Sequence, residues 1–381
     1  MSKAAELAAL IGSGQAQGDK NLLINSDMQV AQRGTSLAMA HDGTTNGYLI
    51  DRWRFTFGGS HSQLDGTYAQ VADHPLTPNG KSLKWTTGTA ESSYASSYYL
   101  YFVQLIEAQN LQGLQFGSSN AKTVTLSFYI KSSITGTYAV NLYKAAATTR
   151  IINKTYTISS ANTWEKKTIT FPADTASGAD IPNSNGQGFF VSWHLAAGSG
   201  VKGNGSLNTW KNYTGLTDWA DGQATNGVAT TAGATWQMAQ CQLEIGDVAT
   251  AFEHEDFSTT LAKCQRYLYR RNFEIYDVVC QGAALGNKGS YCLHLPVAMR
   301  AKPSCSQGSG IYCWYNQSGS ITTQTGLAVT YMGTNDTNMT QAFIRADDNS
   351  TAASATNYPL GLTSYDGSGS NSTFIQLDAE L

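Results

Sequence analysis

The stretch QCQLEIGDVATAFEHEDFSTTLAKCQRYLYRR (Gln240–Arg271) divides the chain, and the segments on either side take their roles from it. Its opening residues complete an apolar run, Thr235–Ile245, that reads as the closing strand of a β domain. Gly246 to His254 leads out of that domain. Asp256 or Ser258 can then cap a helix, its side-chain oxygen accepting hydrogen bonds from free backbone N–H groups. Leu261, Cys264, Gln265 and Leu268 fall on one face of that helix, with Lys263, Arg266 and Arg270 elsewhere. The arginines stand in its last turn, where the helix dipole favours positive charge. The spacing predicts a linking helix over 256–271 and a second domain over 272–381.

Upstream, residues 20–255 show repeated strand patterns separated by Gly, Ser, Asn and Thr clusters. The predicted strands are Leu22–Asn25, Met28–Gln32, Tyr48–Phe57, Lys81–Thr86, Tyr99–Ile106, Val124–Lys131, Tyr138–Tyr143, Ile151–Ile158, Trp164–Phe171, Gly188–His194 and Thr235–Ile245. Val124, Leu126, Phe128 and Ile130 alternate with Thr125, Ser127, Tyr129 and Lys131, the pattern of a half-buried antiparallel strand. So many short runs with hardly any helical pattern predict a mainly β fold, with a two-sheet sandwich in this first domain. Downstream, Ile275–Ala284, Ser290–Met299, Ile311–Tyr315, Leu327–Met332, Gln341–Ala346 and Thr373–Ala379 predict a second β-rich domain. Stretches such as SQGSG and DGSGSNST separate them, and there are no heptads and no strict short repeat. Ahead of both domains, Met1–Gln17 reads as a short helix with Leu7, Leu10 and Ile11 on one side, ended by Gly12 and Gly14. A helix that short is marginal alone in water, so 1–19 is either an anchor that docks on another polypeptide or a frayed tail.

Composition narrows the function. Only 13% of residues are charged, while 20 Tyr, 13 Phe and 8 Trp supply a large core, which excludes a disordered chain. The net charge of −3 gives no basic footprint for a nucleic-acid backbone. Glu6 interrupts the early Ala-rich run, so no signal peptide and no membrane insertion are expected. Six cysteines (Cys241, Cys264, Cys280, Cys292, Cys305 and Cys313) form no CxxC pair, which argues for buried thiols rather than zinc. A disulfide within the C-terminal part stays open.

Three segments carry a family resemblance: NLLINSDMQVAQRGTS (Asn21–Ser36), YLIDRW (Tyr48–Trp53) and CQLEIGDVATAFEHEDFSTTLAKCQRYLYR (Cys241–Arg270). In this order and spacing they are similar to a family of tailed-bacteriophage virion proteins, and the resemblance covers roughly residues 20–270. LHLPVAMRAKPSC (Leu293–Cys305) is also similar to a phrase found at this point in many such proteins. The resemblance implies a jelly roll like that of carbohydrate-binding modules, followed by a variable β-rich C-terminal part. It implies a tail fibre or fibre tip that binds host surface glycans, commonly as a homotrimer. In the same setting the chain could instead be a capsid fibre or decoration protein. Either way it is located on the virion and joined to other virion proteins, with the N-terminal helix as anchor. An enzyme that trims surface polysaccharide is the alternative from another class.

No catalytic signature supports that enzyme. GxSxG, HExxH, P-loop and GxGxxG patterns are absent, and the six His are scattered, so no catalytic residue is assigned. Four aromatic residues are candidates for ligand binding. Trp210 and Trp219, with Tyr213 in the irregular region Gly198–Gly233, either form a sugar-stacking face or pin the loop to the sandwich. Tyr312 and Trp314 share one face of Ile311–Tyr315 and are either a stacking platform or core. No cofactor is expected. Asn25, Asp27, Glu244 and Glu253 could supply oxygen ligands to a structural calcium ion, but no DxDxDG loop supports one.

Overall fold

Thr235–Ile245, the last strand of the first domain in sequence, lies inside a sheet in space. In the computed structural model it is β13, and its sheet has the order β1 (Ser36–Ala40), β4 (Asp65–Val71), β5 (Ser82–Thr87), β13, β7 (Val124–Ser132) and β10 (Glu165–Phe171). Facing it is a seven-stranded sheet, in the order β12 (Lys211–Asn212), β9 (Arg150–Ile158), β8 (Gly136–Lys144), β11 (Gln187–Ala197), β6 (Tyr99–Glu107), β3 (Trp53–Gly58) and β2 (Asn46–Tyr48). The structure describes residues 20–40, 46–59, 63–91, 93–203, 205–274, 278–285, 288–308, 311–315, 328–331, 339–347, 359–364 and 373–381. The expected helix Met1–Gln17 lies outside them.

The chain passes from one sheet to the other between β1 and β2, β3 and β4, β5 and β6, β6 and β7, β7 and β8, β9 and β10, β10 and β11, and again before β13. These crossings, with antiparallel neighbours throughout both ladders, make a jelly-roll sandwich. Large rings fill the space between the sheets. Phe55 stacks on Trp85 at 4.2 Å and Phe102 on Trp236 at 5.5 Å, while Trp53 meets Trp193 at 5.5 Å. All six are fully buried, and such pairs add about 1 kcal/mol each beyond the area they remove from water.

Leu22–Asn25 and Met28–Gln32, expected as strands, are not strands. They form an irregular plug, with positive φ at Asn25 (53°) and Met28 (56°). The apolar residues that suggested strands are buried here too, as Leu23, Met28 and Val30 show. Side chains replace the ladder: Asn25 Nδ2 donates to Val30 O at 2.8 Å and Asp51 O at 3.0 Å, and its Oδ1 accepts from Val30 N at 3.0 Å. The predicted strand Tyr48–Phe57 is broken by a turn at Ile50–Arg52 into β2 and β3. β1 and β4 escaped the sequence reading because each has a single fully buried residue, Met39 and Tyr68 respectively, and so no apolar alternation.

A second compact unit spans Ser258–Glu380. Its helix α1 (Phe257–Gln265) stops before the expected end near Arg271, because Leu268–Phe273 is strand β14. Leu268 and Phe273 are buried at its two ends, and pairing from Leu268↔Asp378 to Phe273↔Thr373 holds the segment as a strand. Arg270 therefore does not stand in the last turn of a helix, and its guanidinium lies 3.9 Å over the Phe374 ring. β14 pairs with β22 (Thr373–Asp378), which pairs with β17 (Ser304–Gln307). A six-stranded sheet follows, in the order β18 (Ile311–Tyr315), β21 (Pro359–Ser364), β15 (Val278–Leu285), β16 (Lys288–Met299), β20 (Met339–Asp347) and β19 (Ala328–Tyr331). Cys241 and Cys264 are buried and Cys305 is half-buried, while the side chains of Cys280, Cys292 and Cys313 lie outside the described residues.

Asn25→Ala should lower unfolding stability by about 3 kcal/mol, because it strips partners from three buried backbone groups. Denaturant unfolding of the chain and the variant measures this, and a loss of only a few tenths would show that the plug is not held by that amide.

Candidate functional site

The seven-stranded sheet is apolar on both faces. β6 turns Leu100, Phe102 and Ile106 to the inter-sheet core, and Tyr101, Val103 and Leu105 to the opposite face. Ile151 of β9 joins them there, with Tyr99, Tyr143 and Phe190 at the margin. Such a face must be covered. The segment after β11 provides the cover, with Val201, Trp219 and Ala220 buried against it. Trp219 is only 7% exposed, and its ring meets Tyr143 at 5.1 Å, Tyr101 and Tyr213 at 5.8 Å, and Phe190 at 6.4 Å, all near edge-to-face.

Polar groups tie the cover down. Lys211 Nζ bridges Asp218 Oδ1 at 2.9 Å and Asp221 Oδ2 at 2.7 Å. Burial alone would lower the Lys211 pKa, but the hydrogen bonds to Asp221 and Asp218 outweigh it and hold the ammonium above its ordinary range. Thr214 donates to Asp218 Oδ2 from both its N–H and its hydroxyl, at 2.7 Å each. Underneath, Asn153 Nδ2 donates to Asp218 O at 2.8 Å, and Asn141 Nδ2 donates to Trp219 O. Asn141 Nδ2 also lies 3.0 Å from His194 Nε2. Burial pushes His194 down to about 3, so it is neutral at ordinary pH. Burial raises Tyr101 and Tyr213 to about 12, and raises Tyr143 as well, so these phenols stay protonated.

The exposed margin of this face is four half-buried rings, Tyr99, Tyr143, Phe190 and Tyr213, set around the closed Trp219. Chemically it offers aromatic faces and neutral hydroxyls. The buried imidazole is too weak a base to activate a nucleophile, and the two carboxylates beside it are held by Lys211.

Of the expected site residues, Trp219 pins the loop with its ring enclosed, rather than turning a face outward. Trp210 is separate from it: its ring packs on Phe116 at 5.6 Å and Phe189 at 6.3 Å, and its Nε1 donates to Pro172 O at 2.7 Å. Tyr213 alone of that group stands at the open margin. Tyr312 and Trp314 lie on β18, opposite Thr363 and Gly361, and their side chains are outside the described residues. The oxygen atoms considered for calcium are engaged in hydrogen bonds. Glu244 accepts from Gln242 Nε2 and from Thr250 N and Oγ1, Glu253 accepts from Asn21 N, and Asp27 pairs with His74 at 3.0 Å. No cluster of His, Cys, Asp and Glu suited to a metal occurs among the described residues. The sequence reading missed Tyr99, Tyr101, Tyr143 and Phe190. The available signal was YLYFVQLIE and QGFFVSWHLAA, which are apolar at both parities, as strands covered on both faces must be.

No family model matches the sequence, and no curated protein matches it. Several solved structures are similar to parts of it. The enzymatically active domain of bacteriophage CBA120 tailspike protein 4 is 12% identical over 60% of this chain and 22% of that one, with a TM-score of 0.33. A family 11 carbohydrate-binding module of a cellulosomal cellulase of Clostridium thermocellum is 12% identical over 54% of this chain and 92% of that one, with a TM-score of 0.28. A xylan-binding domain from Paenibacillus barcinonensis is 11% identical over 61% and 99%, with a TM-score of 0.27. This chain thus spans less than a quarter of the tailspike domain it is similar to.

His194 gives the site a pH signature. The unfolded chain takes up a proton at the ordinary value of 6.5, but the folded chain does so only near 3, so acid favours unfolding across that window. The contribution is complete above 6.5 and is lost as pH falls, with a slope of up to about 1.4 kcal/mol per pH unit for one proton. His194→Gln should flatten this part of the acid limb, read as melting temperature against pH. Parallel profiles for chain and variant would mean that His194 is not held neutral.

Proposed function

We propose that this protein is a glycan-binding component of a phage surface appendage, and that the aromatic margin of the seven-stranded sheet makes the contact. The observation that carries the reading is the set of half-exposed rings Tyr99, Tyr143, Phe190 and Tyr213 on one face, where Lys211 is matched by Asp218 and Asp221. The C–H faces of sugar rings pack on aromatic rings, and protonated phenols exchange hydrogen bonds with sugar hydroxyls. The phage setting is supported by the resemblance of Asn21–Ser36, Tyr48–Trp53 and Cys241–Arg270 to virion proteins. Within it, a tail fibre or fibre tip is favoured over a capsid fibre, with residues 1–19 joining the particle and copies acting together as a homotrimer. The protein binds without cleaving.

Titrating host surface polysaccharide into the protein by calorimetry tests the contact. Tyr213→Ala and Phe190→Ala should each weaken binding about tenfold, the worth of one lost stacking contact. Unchanged affinity in both would remove the margin from the site. The same incubation should release no reducing ends; their appearance would establish the enzyme instead.

A second contact is proposed in the C-terminal unit. β18 is an edge strand, and positions 312 and 314 fall on one face of its sheet beside Ser/Gly/Asn/Thr-rich connections. Replacing Tyr312 and Trp314 together by Ala should reduce adsorption to host cells with assembly intact, and gold-labelled protein should decorate the tail in electron micrographs. Full adsorption by the double variant, or label on the head, would defeat the respective half of this reading.

A further inference from the structure

Beneath Trp219 the sheet carries a line of polar residues where its surroundings are apolar. Asn153, Asn141 and Ser192 are direct cross-strand partners on β9, β8 and β11, and His194 stands two residues beyond Ser192 on the same face. All four are completely buried. Four of their polar atoms have no hydrogen-bond partner: Asn141 Oδ1, Asn153 Oδ1, Ser192 Oγ and His194 Nδ1. Asn141 Nδ2 faces the acceptor Trp219 O, which fixes the orientation of its amide and presents an N–H to His194 Nε2. The imidazole also hydrogen-bonds the Trp219 backbone, and Nδ1 is the ring nitrogen left without a partner. A buried polar atom left unpaired costs about 1–3 kcal/mol, so four in one row are expensive for a purely structural cover. Val103, Leu105 and Ile151 show that this face accepts aliphatic residues.

The unpaired set has a definite chemistry. It holds two amide acceptors, one hydroxyl that gives and takes, and one nitrogen of a neutral imidazole, all without formal charge. Its complement is a neutral ring bearing adjacent hydroxyls. The loop imitates such a ligand: the Trp219 ring lies between Tyr101, Tyr143 and Phe190, while the carbonyls of Asp218 and Trp219 take the Asn153 and Asn141 amides. We infer that Asn141, Asn153, Ser192 and His194 form a binding site for one neutral sugar residue, closed in this state by Asp218–Trp219 acting as an internal plug. Release of the plug frees the two amides, each of which can then give and accept toward a vicinal diol. Lys211, through its bridge to Asp218 and Asp221, is the latch.

The inference rests on the glycan-binding reading but is separable from it. The probes are D-glucose, D-galactose and N-acetyl-D-glucosamine, and the readout is the ring-nitrogen NMR signal of His194 in the full chain, alongside calorimetry. At least one probe should shift the His194 signal, and Lys211→Met, with the latch removed, should bind it about tenfold more tightly by relieving the closed state. Ser192→Ala removes an unpaired hydroxyl, so it should leave the melting temperature unchanged or higher while weakening that probe severalfold. A fall in melting temperature with unaltered binding would make the row structural. If no probe moves His194 in either the chain or Lys211→Met, the site does not exist. Should Tyr213→Ala and Phe190→Ala still lose polysaccharide in that case, the margin reading stands alone. Conversely, a His194 shift with an inert margin would move all binding to the buried row.

Discussion

One short segment holds the sandwich in register. Residues 21–32 cannot join either ladder, yet they lie where β13 and β6, each flanked by strands on both sides, approach one another. Side-chain amides solve the difficulty because each carries a donor pair and an acceptor. Asn21 takes the N–H groups of Leu23 and Leu243 on its Oδ1, at 3.1 and 3.0 Å, and donates to Cys241 O at 2.9 Å. On the other side Gln104 of β6 exchanges both hydrogen bonds with the backbone of Ile24, at 2.7 and 2.9 Å. The register shift in β13 between Ala239 and Gln242 follows from the same contact, since Cys241 N is committed to Ser26 O at 3.0 Å rather than to a ladder partner. The plug is thus the segment whose side chains must be specified most narrowly.

With the two sheets so fixed, the outward face of the seven-stranded sheet becomes a second core, and its cover determines what the protein can touch. Trp219 supplies most of that cover through one ring, and the carbonyl beside it adds a hydrogen bond beneath. Apolar burial holds such a loop down in proportion to its area. The hydrogen bonds from Asn141 and Asn153 add direction, so the loop has one seated position rather than many. β12, which carries Lys211, stays laddered to β9, so it is the turn with Asp218 and Trp219 that depends on the ring, the ion pair and the two amides.

The fold was legible where strands alternate and turns are marked, and dim where the chain departs from either. Val124–Lys131 announced β7 almost to its ends, because one side of it faces a core and the other is polar. Asn21–Gln32 read as strands because burial and strand pairing leave the same apolar trace, and nothing in the letters shows that Asn25 sits at positive φ. The end of α1 was overrun because Leu268 continues the helical face as readily as it starts β14, and only pairing with β22 decides between them. At the site, Tyr213 and Trp219 stood out as aromatics in an irregular loop. Their partners Tyr101, Tyr143 and Phe190 did not, since a ring in a strand looks like core whichever face it takes. The polar row was invisible for a further reason: Asn153, Asn141 and Ser192 meet only through cross-strand register.

Little unpaired charge is left to set the character of recognition by this face. Lys211 is matched by Asp218 and Asp221, His194 stays uncharged and Tyr213 keeps its proton, while Arg54 sets one positive charge near Tyr101. Stacking on a few half-exposed rings gives about 1 kcal/mol each, which places a single site in the millimolar range once the freedom lost on binding is counted. Such contacts are useful in repetition. Linked copies turn the second contact into an intramolecular event and multiply affinity without any new interaction, provided the spacing of sites matches that of the sugars. Weak single contacts, made strong by number, suit the binding to a repeating polysaccharide that we propose.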